Sequence, residues 1–405
     1  MNYYKRTADA LLQDLLDAFG AVLIEGPKWC GKTTTASQLA NSILRMQDPS
    51  MREEYLATAK TKPSILLKGD TPRLIDEWQD APMLWDAVRT TVDDRQIPGQ
   101  FILTGSNAVD KSQIHHSGAG RIARLRMLPM SLWESQESTG EVSLKELFNN
   151  PDYDIDGKMS KMTVEDLIFA ASRGGWPASL LARTPKAQLL VAKNYVQTIC
   201  SDDVSGIDGK KRDAKLTSMI LRAYARNVST LVKKKSLLDD VTSSGEVSCH
   251  VDTFDDYVSA LEKLFVIQNI SAWCPAIRSK TAIRSSVKRC FCDPSIPIAL
   301  LGLSPESLSM QLRTFGFIFE QMCIRDLKAY TIDLNSHVSY YHDRYDLEAD
   351  IVLHLEDGRY ALIECKLGSS EIDEGAKHLL ELKRLIQEHN KTEKQVPIRE
   401  PDLLI

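Results

Sequence analysis

The segment from Gly26 to Thr33 reads GPKWCGKT and directly follows the apolar run AVLI. A strand that feeds a glycine loop and then opens a helix directs backbone N–H groups at one point, which suits a phosphate chain. Lys32 is predicted to reach the β and γ phosphates, and the Thr33 hydroxyl to ligate Mg²⁺. The residues predicted to line this nucleotide site are Gly26, Pro27, Lys28, Trp29, Cys30, Gly31, Lys32, Thr33 and Thr34.

A short apolar strand about forty residues later ends in two acids, Asp76 and Glu77. The carboxyl ends of buried parallel strands face the nucleotide in such folds. Asp76 is therefore predicted to hold the Mg²⁺ shell, and Glu77 to polarise the water that attacks the phosphate. A solvated acidic turn is the alternative interpretation.

A third strand, Gln100–Leu103, runs into small polar residues. Asn107 is the preferred sensor of the γ-phosphate, while Thr104 and Ser106 compete for the same role because all three belong to one strand tip. The helical spacing of apolar residues between the second and third strands predicts the crossover that parallel strands require. Trp85 and Val88 on this helix are predicted to belong to the core.

A second group of chemically active residues lies near the end of the chain. Asp350 begins one strand of a predicted hairpin, and Glu364 and Lys366 end the other on a shared face. This D-x₁₃-E-x-K spacing is the arrangement of the restriction-endonuclease-like fold, in which the acids hold Mg²⁺ and the lysine steadies the attacking water. Glu320 matches the acid of that fold's first helix, and Glu348 is an alternative ligand to Asp350.

The same groups have a plainer interpretation as an ion-pair network that stabilises the hairpin, with His342 and Arg344 as partners. Residue types alone do not separate this interpretation from a working nuclease, because function depends on the site rather than on the fold.

These motifs resemble those of prokaryotic AAA-type ATPases that carry a C-terminal domain of unknown function with a nuclease-like core. No base-reading motif is visible in the sequence. That the nucleotide is ATP is implied by the resemblance alone. The resemblance also implies an arginine that contacts the γ-phosphate, in cis or across a subunit boundary of a homo-oligomer. Arg121 is the candidate, with Arg124 and Arg126 as alternatives. The stretches that carry the resemblance are the phosphate loop, Ile75–Gln79, Gln100–Ser106, Gly120–Arg121, Leu128–Ser131 and Gly174–Pro177.

The composition predicts a cytoplasmic protein of several domains. The chain has 405 residues, 43% of them apolar and 26% charged, with a net charge of −5. It starts without the apolar stretch of a signal peptide, and no run is long enough to span a membrane. The 8 cysteines are scattered, so neither a disulfide framework nor a zinc site is indicated. Any nucleic-acid surface must be local at this net charge.

The pattern changes along the chain predict an α/β protein with four parts. Residues 1–134 form an AAA-type P-loop NTPase sheet, and 135–205 a flexible polar excursion followed by a helical lid. Residues 206–272 form a winged-helix-like module, and 273–405 the restriction-endonuclease-like α/β domain.

The winged-helix prediction rests on three helices followed by an extended segment. Nine Lys or Arg against four Asp between Gly206 and Asp240, and five more basic residues between Ala276 and Arg289, favour contact with nucleic acid, DNA rather than RNA. Winged helices also dock proteins, and Lys233–Lys235 can equally be a solvated face.

Two functions follow from these predictions. In the first, ATP controls a winged helix and a metal-dependent nuclease that act on nucleic acid. In the second, the chain is an ATP-dependent switch or interaction protein whose nuclease-like domain is catalytically silent. ATP binding is common to both.

Overall fold

The computed structural model describes residues 3–107, 114, 116–150, 152–243, 245, 247–273, 286–342, 347–392 and 400–405. Two compact units make up the chain. The first consists of Met1–Pro129 with Lys263–Val266, and the second of Met130–Glu262 with Ile267–Ile405. Two predictions, the ion-pair role of Arg344 and the basic charge of residues 276–285, fall outside the described residues.

The first unit is built around a five-stranded parallel sheet with the order β2-β3-β4-β1-β5. Helices cover the sheet, as the predicted crossovers require. The strands are β1 (Ala21–Glu25), β2 (Ser42–Arg45), β3 (Arg73–Asp76), β4 (Phe101–Gly105) and β5 (Ile122–Arg126). The helices are α1 (Ala8–Ala18), α2 (Lys32–Leu39), α3 (Arg52–Thr61) and α4 (Met83–Arg95).

The apolar strand sequences explain why this sheet forms. Every residue of β1 and β4 is buried, as expected for central strands covered on both faces. Trp85 and Val88 of α4 are fully buried in the core below the sheet, which confirms the prediction for both residues. Trp85 packs against Trp78 with ring centroids 5.1 Å apart.

The second unit begins with helices. The part predicted to be a winged-helix-like module contains the helices α10 (Ala214–Arg226), α11 (Lys234–Thr242) and α12 (Val251–Lys263), and antiparallel bridges Ile267–Phe291 and Ile270–Lys288 follow them. The helix bounds are α5 (Leu144–Asn149), α6 (Val164–Arg173), α7 (Pro177–Leu180), α8 (Pro185–Thr198), α9 (Val204–Gly206), α10 (Ala214–Arg226), α11 (Lys234–Thr242) and α12 (Val251–Lys263).

The C-terminal part of this unit contains a four-stranded sheet with the order β6-β7-β8-β9. β6 pairs antiparallel with β7, and β7 with β8, whereas β9 runs parallel to β8. This pairing confirms the predicted hairpin. The strands are β6 (Ser336–His342), β7 (Glu348–Leu355), β8 (Tyr360–Ile363) and β9 (Leu403–Leu404), and the helices are α13 (Ser295–Leu300), α14 (Pro305–Ser309), α15 (Leu312–Tyr330) and α16 (Ser369–Thr392).

The excursion predicted to be flexible after residue 134 instead packs in place. Phe148 of α5 is buried in the hydrophobic cluster of the C-terminal sheet. Arg359 donates a hydrogen bond to the Phe148 carbonyl oxygen, and Lys145 Nζ lies 3.0 Å from Asp333 Oδ2. The polar composition concealed this anchoring because one buried aromatic side chain carries most of it.

A buried ion-pair group, the Arg325 network, ties distant segments of the second unit together. Arg325 Nη1 lies 3.0 Å from Asp293 Oδ2, and its Nη2 lies 2.6 Å from Asp326 Oδ1. Asp293 also accepts the Gly175 N–H at 2.9 Å, and Asp326 accepts the Leu132 N–H at 3.0 Å. The glycine turn before Trp176 is therefore held by side chains far away in the sequence.

Removing the charge of Arg325 is expected to destabilise the protein strongly. Arg325→Met leaves two buried carboxylates without their cation, which costs about 3–5 kcal/mol in comparable buried pairs. Urea denaturation followed by circular dichroism measures the loss. Arg384→Met is the matched control, because its partners Glu381 and Glu388 are exposed and the change should not move the midpoint. Equal midpoints for the two variants would contradict the prediction.

Candidate functional site

The loop between β1 and α2 encloses the Lys32 side chain. Lys32 is the first residue of α2 and is buried. Its Nζ donates hydrogen bonds to the carbonyl oxygens of Gly26 at 3.0 Å and Pro27 at 2.9 Å. Gly26 has a φ of 156°, and a Cβ there would lie 2.2 Å from the Met127 carbonyl oxygen. The loop thus holds an ammonium group at its centre, in a path that only glycine permits.

Asp76 accepts hydrogen bonds from two hydroxyl groups. The Thr33 hydroxyl donates to Asp76 Oδ1 at 2.7 Å, and the Thr104 hydroxyl donates to the same oxygen at 2.6 Å. The acid and hydroxyl predicted to hold Mg²⁺ therefore lie in direct contact at the carboxyl edge of the sheet. Thr104 thus contacts the acid, and its alternative role as a sensor of the γ-phosphate stays a prediction.

Glu77 and Asn107 lie at the same edge. Glu77 has a positive φ of 54°, a backbone conformation that is uncommon outside functional turns. Its Oε2 accepts hydrogen bonds from the Ser106 hydroxyl at 3.3 Å and from Gln79 Nε2. Asn107 Oδ1 is buried and accepts no hydrogen bond from the described residues. Ser106 is thus engaged with Glu77, while Asn107 keeps a polar atom available.

The residues present fit a magnesium–nucleotide complex. An enclosed lysine, a hydroxyl–carboxylate pair and an unpaired amide oxygen surround one glycine loop at a helix N-terminus, where anions bind. Lys32 and the loop N–H groups would hold the phosphates, and Thr33 with Asp76 would hold the metal.

The structure places Arg121 at the wrong edge for a contact in cis. β5 pairs with β1 so that Arg126 lies beside Glu25, next to the loop. The carbonyl oxygen of Arg121 accepts the Ala21 N–H at the opposite end of β1. At about 3.3 Å per residue the two ends are about 16 Å apart. Arg121 Nε instead donates to Asp93 Oδ1 at 2.7 Å. A contact of Arg121 in trans stays a prediction.

Arg124 and Arg126, the alternatives, both pair with Glu25. Arg124 Nη1 lies 3.4 Å from Glu25 Oε2, and Arg126 Nη2 lies 3.5 Å from Oε1. Glu25 is buried and immediately precedes the phosphate loop. Of the three arginines, Arg126 thus lies at the edge of the sheet that carries the loop.

A further arginine near the N-terminus supports the loop and was not predicted. Arg6 is buried, and its Nη1 donates to the Cys30 carbonyl oxygen at 2.7 Å. Its Nη2 donates to the Leu128 carbonyl oxygen, also at 2.7 Å. No motif surrounds Arg6, so only the tertiary contacts identify it.

The second predicted site forms where β7 and β8 lie side by side. Lys366 Nζ lies 2.6 Å from Glu364 Oε2 and 3.6 Å from Asp350 Oδ2. Asp350 Oδ2 also accepts the Cys365 N–H at 2.9 Å. Although β8 ends at Ile363, the predicted shared face of Glu364 and Lys366 is retained. Glu364 Oε1 is buried and accepts no hydrogen bond from the described residues.

Glu320 of α15 lies close to this group but is already paired. Lys288 Nζ donates to Glu320 Oε1, and to the Asp350 carbonyl oxygen at 2.9 Å. Within the described ranges, no group of three His, Cys, Asp or Glu side chains is arranged to hold a metal ion. Glu320 is thus engaged by Lys288, and its match to the acid of the first helix stays a prediction.

Burial changes the acidity of these carboxyl groups. Burial, with Asp350 nearby, raises the pKa of Glu364 to about 7. Burial also raises the pKa of Glu320 to about 8, against the opposing effect of Lys288. For Lys366, burial by itself would lower the pKa, but Glu364 and Asp350 raise it. Strongly shifted carboxyl groups are typical of functional sites, although ion-pair networks produce them too.

Ion pairs engage four residues of the basic cluster, Lys210, Arg212, Arg226 and Lys234, in the predicted winged-helix-like module. Its described ion pairs are Lys210–Asp256, Arg212–Asp208, Arg212–Asp256, Arg226–Asp240 and Lys234–Asp255. The charge count along the sequence missed Asp255 and Asp256, because they belong to α12, outside the counted window.

The third helix of this module, α12, is acidic. A winged helix that reads DNA inserts its recognition helix into a groove lined by phosphates, which favours basic residues. Against one lysine, Lys263, this helix carries Asp252, Asp255, Asp256 and Glu262. The charge of this helix does not favour insertion into DNA.

Three family models match the chain. The model for an AAA domain matches residues 18–136, which include the glycine loop, Asp76 and Glu77 at the end of β3, and Asn107. Residues 18–136 form an AAA domain. Together with the loop geometry, this match assigns ATP binding and ATPase activity to the AAA domain. Residues 164–307 match a domain of unknown function, DUF8612, and residues 315–400 match another, DUF4143.

Relatives with similar sequences are bacterial. Uncharacterized proteins Rv2008c of Mycobacterium tuberculosis and Mb2031c of Mycobacterium bovis are each 24% identical over 366 residues, 88% of this chain and 72% of theirs. A solved structure, the Walker-type ATPase paby2304 of Pyrococcus abyssi, covers 74% of this chain and 96% of its own, with 12% identity and a TM-score of 0.43. A likeness this weak indicates neither substrate nor partner.

None of the described helices combines the length and the apolar character needed to cross a bilayer.

The strand order of the AAA domain, with the loop strand β1 between β4 and β5, confirms the predicted P-loop fold.

Proposed function

We propose that the AAA domain is a Mg²⁺-dependent ATPase whose nucleotide state controls the second unit, and that the Asp350–Glu364–Lys366 group cleaves nucleic acid. The observation that carries the proposal is the contact of one lysine with two buried carboxylates at the ends of paired strands. That arrangement combines two metal ligands with a cation beside the reacting phosphate.

In the AAA domain, each residue has a distinct role in the proposal. Lys32 neutralises phosphate charge, and Thr33 and Asp76 hold the metal. Glu77, kept in place by Ser106 and Gln79, positions the attacking water. Asn107 detects the γ-phosphate by donating from its Nδ2 amide, and its buried Oδ1 is an acceptor for the attacking water. An oligomer in which Arg121 reaches a neighbouring nucleotide belongs to the same proposal.

In the second unit, Asp350 and Glu364 would hold one divalent cation. Two carboxylates suffice for Mg²⁺, which keeps several waters and relies on substrate phosphates for its other ligands. The cation would supply a more acidic water and offset charge on the phosphate. Lys366 contacts both acids, so its ammonium lies where a phosphate oxygen or the attacking water would gain a proton donor.

The test is a cleavage assay with Lys366→Ala. The native protein is expected to cut DNA or RNA in Mg²⁺ or Mn²⁺, and the variant to cut about a hundredfold more slowly, the usual effect of removing one electrostatic contact. Duplex, single-stranded and RNA substrates are compared with and without ATP. Lys377→Ala, an exposed lysine on α16, is the matched control. Equal rates for Lys366→Ala and native protein would reject the nuclease assignment.

A second function is favoured by the charges of the winged-helix-like module. The acidic α12, and its ion pairs with part of the basic cluster, suit a protein partner better than a phosphate backbone. In this function the chain is an ATP-dependent switch or interaction protein, and the carboxylate–lysine group serves as an ion-pair network. If the native protein cuts none of the substrates in either metal, this second function is the better account.

A further inference from the structure

Lys288 brings a positive charge into the carboxylate site from a separate structural element. It belongs to the segment that follows the undescribed residues 274–285, and it exchanges two backbone hydrogen bonds with Ile270, at 3.0 and 3.2 Å. Its Nζ contacts Glu320 Oε1 and the Asp350 carbonyl oxygen. The bridge to Ile270 therefore fixes the backbone from which the ammonium group reaches the site.

The ammonium group of Lys288 is enclosed. The residue is only 5% exposed, and the Tyr340 ring centroid lies 5.6 Å from Nζ, within the range of a cation–π contact. Tyr340 in turn donates a hydrogen bond to the Ser286 carbonyl oxygen, close to Lys288 in the chain. A surface lysine that drifted toward an acid would show neither this burial nor this support.

We propose that Lys288 acts as a fixed cation of the carboxylate site, so that the site binds one divalent cation and binds it weakly. The proposal rests on the proposed function, because it assumes that Asp350 and Glu364 bind a metal. A second, independent sign of a ligand is the buried Glu364 Oε1, which accepts no hydrogen bond from the described residues.

The physical argument concerns the charge that an incoming cation meets. Three carboxylates, those of Glu320, Asp350 and Glu364, lie with two ammonium groups, those of Lys288 and Lys366. Like charges repel strongly where water is excluded, so a buried ammonium opposes binding of a divalent cation. It also occupies the Glu320 oxygen that would otherwise serve as a third ligand.

The test measures Mn²⁺ binding to the nucleotide-free, full-length protein by electron paramagnetic resonance. The native protein is expected to bind one Mn²⁺ that Glu364→Gln removes. Lys288→Met is expected to bind this ion about tenfold more tightly, because a repulsive charge is lost and Glu320 becomes available. Lys288→Arg should keep the native affinity. Lys377→Met, which removes an exposed lysine, is the matched control.

A double variant decides the matter if Lys288→Met does not fold. Lys288→Met/Glu320→Gln removes both charges of the pair and should bind Mn²⁺ with native affinity. Loss of the ion from the double variant, or unchanged affinity in Lys288→Met, would overturn this inference alone. A native protein that binds no Glu364-dependent Mn²⁺ would overturn the proposed nuclease function and this inference together.

Discussion

Replacement of Glu77 by glutamine is expected to slow ATP turnover about a thousandfold while ATP remains bound, because a positioned base contributes that order of rate. Glu77 lies one residue beyond β3 at the loop edge of the sheet. Its carboxylate is oriented by Ser106 and by Gln79. A glutamine has nearly the same shape and can keep the contacts with Ser106 and Gln79, but its amide cannot accept a proton from water.

Steady-state phosphate release and equilibrium nucleotide binding must be measured on the same preparation. The expected result is a large loss in kcat with little change in nucleotide affinity, since Glu77 is not among the residues that hold the phosphates. Glu53→Gln, on the exposed face of α3, is the matched control. Turnover that survives Glu77→Gln would assign the water-positioning role to another group.

Loss of the Lys32 ammonium is expected to weaken ATP binding about a thousandfold, as removal of a buried charge from an ion contact does. In the present structure this group is held by the carbonyl oxygens of Gly26 and Pro27. It therefore lies inside the loop before any phosphate arrives. Lys32→Ala removes the buried positive charge that these two carbonyl oxygens hold.

Isothermal titration with ATP and Mg²⁺ measures this effect. Lys60→Ala, an exposed lysine of α3, is the matched control for the loss of one positive charge. Circular dichroism of Lys32→Ala must remain native, so that a loss of affinity is assigned to the site and not to unfolding. Native affinity in a folded Lys32→Ala protein would refute the assignment of the loop as the phosphate site.

The local sequence was enough to predict a site where the reactive residues and the backbone conformation that positions them belong to one short segment. The sequence predicted that one edge of the sheet carries the glycine loop, the two acids at the end of β3 and Asn107. Parallel strands bring their carboxyl ends to one edge whatever their loops contain. The pairing of β7 with β8 could also be predicted, because strand alternation and a tight turn are short-range properties of the sequence.

Two predictions depended on strand register or on distant partners, which the sequence does not show. The residue type of Arg121 suits a phosphate contact, yet the pairing of β5 with β1 places it at the far edge of the sheet. The basic residues of the winged-helix-like module suggested nucleic acid, yet acids of α12 pair with several of them.

The sequence by itself determined that a phosphate loop, its partner acids and a carboxylate–lysine hairpin exist in this chain. Only the tertiary structure decided which side chains complete each site. Arg6 supports the loop across more than twenty residues, and Lys288 pairs with Glu320 beside Asp350. Such contacts leave no periodicity or spacing, because the free energy of a buried ion pair depends on where the chain folds and not on sequence separation.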